Sequence, residues 1–350
     1  MLNSPAPRDP SAPRDPPEPR NQTAPRVPTS PRDPTAPLDP PAPRDQTLTG
    51  VALMLAFCVF APLLDVASKL ATETIPVGQI TTARFVVQAA FMLPVAMVMR
   101  LRWTVSRRLA WLIGLRAVCL ILSTYCFVAA VAVMPIADAL AIVFVLPFLL
   151  LIFGHLIFGD AVGPRRIVAS IVGFAGAMLV IQPSITAFGL VALLPLGCAF
   201  AFAAYMLITR ATSADVHPVT MQLHTSLAGS LICVPLLWLA DGSGIADLDS
   251  VMPQGIVWIW LLGVGFWAAV SHMCMTIALK FAPSATLAPL QYLEIVAAVG
   301  LGYLVFDDFP DPLTWVGIAI IVASGLYVIH RERVTAAARA TPPTEPIPAR

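Results

Sequence analysis

The second half of this chain repeats the first. Sliding residues 135–181 onto 283–329 without a gap brings Pro135 over Pro283, Ala137 over Ala285, Gly154 over Gly302, Phe158 over Phe306, Pro164 over Pro312 and Val168 over Val316. Earlier in each half the register is shorter: Lys69 falls over Arg210 and Pro94 over Pro235, and a longer loop over 241–254 takes up the difference. Each repeat holds five apolar runs of roughly 20 residues, the length that crosses a bilayer. The ten spans are 48–70, 78–99, 109–133, 136–158, 165–182, 188–209, 217–240, 255–280, 284–306 and 313–330. An odd number of crossings per repeat turns the second half upside down relative to the first. The expected fold is an all-α integral membrane protein of two inverted five-helix repeats, over 48–182 and 188–331. Inverted repeats of this kind mark secondary transporters, which bind substrate where the halves meet.

The sequence is 58% apolar and only 12% charged, about half the charge of a soluble protein. The runs are continuous rather than alternating, which excludes a transmembrane β-barrel. A net charge of +1 offers no case for a nucleic-acid partner. The six cysteines (Cys58, Cys119, Cys126, Cys198, Cys233, Cys274) all fall inside apolar runs without metal-ligand spacing, so they read as small buried hydrophobes. No metal and no cofactor is expected.

Residues 1–46 are a different material. Pro7, Pro13, Pro19, Pro25, Pro31, Pro37 and Pro43 recur every six residues, each followed by Arg except where Leu38 intervenes. A tract with no apolar face reads as a disordered, polyproline-like tail, and no apolar h-region makes it a signal peptide. Residues 332–350 read as a second disordered tail.

Basic loops orient the spans. Arg100, Arg102, Arg107, Arg108, Arg165, Arg166, Arg210, Lys280, Arg331 and Arg333 fall on one side with the Arg-bearing N-terminus, while Glu73, Asp241, Asp247, Asp249, Asp307 and Asp308 fall on the other. The basic side is cytoplasmic. Both termini are therefore expected in the cytoplasm, in a multi-pass protein of the inner membrane. This places the Asn21-Gln22-Thr23 sequon away from glycosylation.

Charges inside spans are costly and point to function. Glu294 sits near the midplane of the ninth span, too deep for a short side chain to reach the interface, so it must be neutral, paired or in water; a proton or cation-coupling role fits all three. Gln291 lies one turn away on the same face. Arg84 lies six residues inside the second span with Gln88 on its face, and a guanidinium there can take a carboxylate or phosphate or pair with Glu294 or Asp138. Arg116 enters from the cytoplasmic side, where snorkelling or a structural role competes with binding. Asp65 and Lys69 are spaced for a local ion pair near the outer end of the first span, and Asp138 is placed to cap the fourth. His272 is a lone histidine, for which hydrogen-bonded packing is the ordinary role. Tyr205, Trp267 and Tyr292 could stack on a planar substrate or pack the core. Asp307-Asp308-Phe309-Pro310-Asp311 spells a DDxxD sequence, but magnesium-diphosphate chemistry needs two facing clusters, and the chain has one. Ala169, Gly173 and Ala177 recur every four residues, which permits close packing within the monomer or in a homodimer.

The chain resembles the drug/metabolite transporter superfamily, specifically its ten-helix EamA-type members, over about residues 48–331. The resemblance is carried by Ala83-Arg84-Phe85, by Pro135-Ile136-Ala137-Asp138-Ala139 and its partner Pro283-Ser284-Ala285-Thr286-Leu287-Ala288-Pro289, and by Leu293-Glu294 with Gly300 and Gly302 following. The close from Thr314-Trp315-Val316-Gly317 to Gly325-Leu326-Tyr327 carries it further; the fourth span departs from it, ending Gly159-Asp160 where the family often has Gly-Glu. The resemblance implies a central cavity lined by helices 1–4 and 6–9 and alternating access without ATP, which the repeats would perform by rocking against each other. It also implies a small polar substrate, with vitamin uptake (riboflavin-like) and amino-acid or drug export both open. A membrane-embedded enzyme would need converging acids or nucleophiles, which the sequence lacks, so the chain does not read as an enzyme. A non-transporting partner recruited through its proline tail is the remaining alternative.

Overall fold

In the computed structural model the described residues are 43–101, 103–159, 163–181 and 189–307, with helical residues scattered between 312 and 330. The expectations for both tails lie outside them. Every regular element among the described residues is helical: α1 (Pro43–Thr72), α2 (Val77–Val98), α3 (Arg107–Val131), α4 (Ile136–Val143), α5 (Leu146–Phe158) and α6 (Pro164–Ile181) come first. A 3-10 turn (Gly189–Ala192) precedes α7 (Leu193–Thr212), followed by α8 (Pro218–Ala240) and α9 (Val257–Phe281). The one-turn α10 (Ser284–Leu287), a 3-10 segment (Ala288–Leu293) and α11 (Glu294–Phe306) close the series. Seven helical segments are long and apolar enough to cross a membrane, and Leu146–Phe158, Ile167–Gly176 and Trp315–Ser324 are shorter apolar stretches.

The helix ends follow local chemistry. Ser106 caps α3 by accepting the Leu109 N–H at 3.3 Å. Pro218 opens α8 at its first turn, where a missing N–H costs nothing. Inside the spans, hydroxyls are absorbed by the helix itself: Thr81 donates to Val77 O, Thr124 to Leu120 O and Ser271 to Trp267 O, each four residues back.

The helices pair across the repeats rather than within them. α1 packs chiefly on α9, α3 on α7 and α2 on α8, and α9 also lies along α2 as α3 lies along α8. Gly265 makes one of these contacts possible, since a Cβ there would collide with Val87 of α2. Large apolar side chains such as Leu231, Trp238 and Trp111 face outward, as lipid-facing and interfacial positions require.

Two of the ten expected spans are interrupted at corresponding places. The fourth breaks between α4 and α5 around Phe144 and Val145; the ninth changes to 3-10 geometry over Ala288–Leu293, which the repeat places over residues 140–145. Proline explains both. Pro147 has no N–H to return to Val143 O, and Pro289 none for Ala285 O. Two other carbonyls at the breaks accept from side chains of other elements: Tyr292 Oη donates to Phe144 O at 3.4 Å, and Cys58 Sγ to Leu290 O at 3.5 Å. Phe144 and Tyr292, superimposed by the repeat, thus touch each other, with ring centroids 5.5 Å apart.

Candidate functional site

A cavity of about 90 Å³ lies beside the two breaks. Asp65 and Ser68 reach it from α1, Arg84 from α2, Ser123 and Thr124 from α3, Cys198 from α7, His272 from α9, and Gln291 and Glu294 from the ninth span. Phe57, Phe127, Phe144 and Phe202 form apolar walls. Both repeats therefore contribute walls and polar groups.

The polar groups follow a pattern. The Arg84 Nη2 contacts His272 Nε2 at 2.5 Å, while its Nε–H, buried, has no partner. Gln291 is buried with Oε1 unpartnered, its amide nitrogen reaching only Met206 Sδ at 3.4 Å. Asp65 is 8% exposed and Glu294 half-buried, and both line the same space. Residues lining this space therefore hold unfilled hydrogen-bonding capacity, an acceptor on Gln291 and a donor on Arg84, beside the carboxylates of Asp65 and Glu294. Lys69, four residues from Asp65, donates to Met134 O at 3.2 Å and lies over the Phe306 ring.

Behind the cavity Arg116 is fully buried in a cage of neutral oxygens. Its Nε donates to Thr209 Oγ1 at 2.7 Å and its Nη1 to Thr225 Oγ1. Its Nη2 donates to Tyr205 Oη at 2.8 Å, Gln222 Oε1 at 2.7 Å and Thr276 Oγ1 at 3.3 Å. The guanidinium also sits 4.3 Å over the Tyr205 ring. Tyr205 Oη lies 3.2 Å from His272 Nδ1, which joins this cage to Arg84.

Of the residues singled out from sequence, the structure gathers Glu294, Arg84, Gln291, Asp65 and His272 on one cavity, with Tyr205 and Arg116 directly behind it. It places three elsewhere. Tyr292 packs on Phe144 and lies against Gly173, where any Cβ would strike its ring. Trp267 stacks on Phe60 at 5.8 Å. Gln88 is fully buried with both amide atoms unpartnered and does not line the cavity. The Asp138 side chain lies outside the described residues. Sequence reasoning did not single out Phe57, Phe202, Ser123, Thr124 or Cys198, which are ordinary span residues with no spacing to mark them. Gln222, Thr225 and Thr276 were equally silent, though three polar residues in two apolar spans are a signal in hindsight.

Residues 48–182 and 189–330 each match the EamA-like transporter family. The riboflavin transporter of Rhizobium johnstonii is 27% identical over 288 residues, 82% of this chain and 93% of that protein. The pseudopaline exporter CntI of Pseudomonas aeruginosa is 26% identical, over 80% of this chain and 95% of the exporter. A solved crystal structure shares the fold at a TM-score of 0.66 and 18% identity, covering 85% of this chain and 99% of that one.

Proposed function

Because the chain belongs to the EamA-like transporter family, and so is a multi-pass membrane transporter of small metabolites, we propose that it is an inner-membrane secondary carrier working by alternating access on a planar, hydrogen-bonding heterocycle. The observation that carries this is the cavity itself: aromatic walls around the acceptor groups of Asp65, Glu294 and Gln291, the last with its Oε1 unpartnered, and one unpartnered donor on Arg84. Flat apolar faces suit the phenylalanines, and ring N–H and hydroxyl groups suit the excess of acceptors. The similarity to a riboflavin transporter agrees with that chemistry.

The ten spans are read as two inverted repeats, supported by the symmetric pairing of α1 with α9 and α3 with α7 and by the paired breaks. Basic loops place both termini in the cytoplasm. Each repeat is packed into the other, so rocking whole repeats would shear the main helix contacts. Access is instead assigned to movement at the breaks in the fourth and ninth spans. Glu294, at the second break and in the cavity, is the candidate coupling group for a proton or other cation.

The test is uptake of labelled riboflavin by cells lacking their own uptake system and expressing this chain. Saturable accumulation, lost in Arg84→Ala, supports the reading; none, with the protein in the membrane, rejects the planar substrate. A second reading, export of an amino-acid-like metabolite, is favoured by Arg84 alone, since a guanidinium edge is built for carboxylates. Reduced cellular retention of labelled amino acids would select it.

A further inference from the structure

We infer that His272 is a positioning residue, a neutral imidazole protonated at Nδ1 that holds the Arg84 guanidinium with its unfilled N–H edge toward the substrate. The inference rests on the carrier reading above only for the cavity being the substrate site. It follows from which groups can donate and which can accept. A guanidinium has five donors and no acceptor. Its Nη2 lies 2.5 Å from His272 Nε2, so Nε2 carries a lone pair, not a hydrogen. The ring proton is then on Nδ1, and the Nδ1–H donates to Tyr205 Oη at 3.2 Å. An imidazolium, with hydrogens on both nitrogens, would present a donor to a donor.

The far end of the chain is equally fixed. Tyr205 Oη also accepts from Arg116 Nη2 at 2.8 Å, and Arg116 is tied down by Thr209, Thr225, Gln222 and Thr276. The series Arg84, His272, Tyr205, Arg116 therefore begins and ends on groups that only donate. It cannot serve as a proton wire, because neither terminus can receive a proton. What it does is orient. The imidazole also lies edge-on to Phe57 at 6.2 Å, Phe202 at 5.7 Å and Tyr205 at 5.5 Å. With Nη2 engaged, the Arg84 Nε–H is buried and unpartnered on a side chain that lines the cavity. In the carrier reading that N–H is the donor left for a carbonyl or carboxylate oxygen of the substrate.

Two measurements decide the matter, the second independent of the substrate. With riboflavin as the probe, His272→Gln keeps an acceptor near the Nε2 position, and KM should stay within about three-fold of wild type. His272→Phe keeps a ring but no acceptor, and KM should rise roughly ten-fold or more with membrane abundance and maximal rate preserved, the scale of one lost charge-assisted hydrogen bond. Equal KM values in the two variants would overturn the inference. In addition, the full-length protein in lipid nanodiscs, labelled with ¹⁵N-histidine, should show at neutral pH one imidazole in the Nδ1–H tautomer that disappears in His272→Gln. An Nε2–H tautomer or an imidazolium at that position would overturn it. If wild type moves no riboflavin, the planar-substrate reading fails while the nanodisc spectrum still decides the role of His272.

Discussion

Glu294 and Asp65 line one cavity from opposite repeats. A carboxylate in a span beside aromatic walls is costly, so these two side chains are where a proton, a cation or a donor-rich substrate has most to gain. Glu294→Gln should abolish ion-coupled uptake in proteoliposomes while leaving insertion intact; unchanged coupled transport would sink the coupling role. Arg116 is a different kind of charge. Its hydrogen bonds reach α7, α8 and α9 from α3, and lysine, with one nitrogen in place of three, cannot span those partners. Arg116→Lys should cost at least about 2 kcal/mol, from the loss of two or more charged hydrogen bonds, read as a lower thermal midpoint in detergent. An unchanged midpoint would mean the cage is not stabilising. Glu294 and Arg84 were legible from sequence because charge in an apolar run is conspicuous. The oxygens around Arg116 were not, because a threonine in a span usually bonds its own helix, as Thr209 and Thr225 also do, and only the fold reveals the second partner.

At the scale of the element, the seven long apolar helices were legible and the helix interruptions only in part. Proline in an apolar run announces a weakened ladder without saying whether the helix bends or breaks. Pro94 and Pro235 sit inside continuous helices, whereas Pro147 and Pro289 adjoin breaks. Beside the second pair a nearby backbone carbonyl, Phe144 O or Leu290 O, takes a side-chain donor from another element, and that is tertiary information. The same holds for the loop after α8, which the sequence marks only as long and acidic. It lies over the start of α2: Gln79 exchanges two hydrogen bonds with the backbone of Val251, at 2.8 and 2.9 Å, and Gly78 N–H donates to Asp247 O at 2.9 Å. Tyr125 of α3 adds a bond to the Asp247 carboxylate at 2.8 Å. This latch joins the two repeats at one end of the bundle, where the proposed carrier would open an access path. Replacing Gln79 and Val251 by cysteine and joining them with a short bifunctional maleimide should stop transport in the linked fraction. Full activity in completely linked protein would remove the latch from the gating cycle.

The whole molecule is two repeats folded into each other. α1 finds its main partner in α9, α3 in α7 and α2 in α8, so each half alone leaves the inward faces of its first three helices uncovered. Those faces carry the groups least suited to lipid: Asp65, Arg84 and Arg116 in the first half, Gln222 and His272 in the second, all 8% exposed or less in the complete chain. Bare in hydrocarbon, each would stand unpaired at a cost of kilocalories. The internal homology made two units legible in the sequence, but homology reports descent and not contact, and only the packing shows the first three helices of each half paired with those of the other. A cut between residues 182 and 188 tests this directly. Residues 1–182 and 188–350, expressed separately, should each be degraded or aggregate, whereas co-expression should restore both fragments to the membrane and a measurable fraction of transport. Two bodies meeting at a modest interface would instead each persist alone. Equal abundance of the single and paired fragments would therefore argue against the interlocked packing as the source of stability.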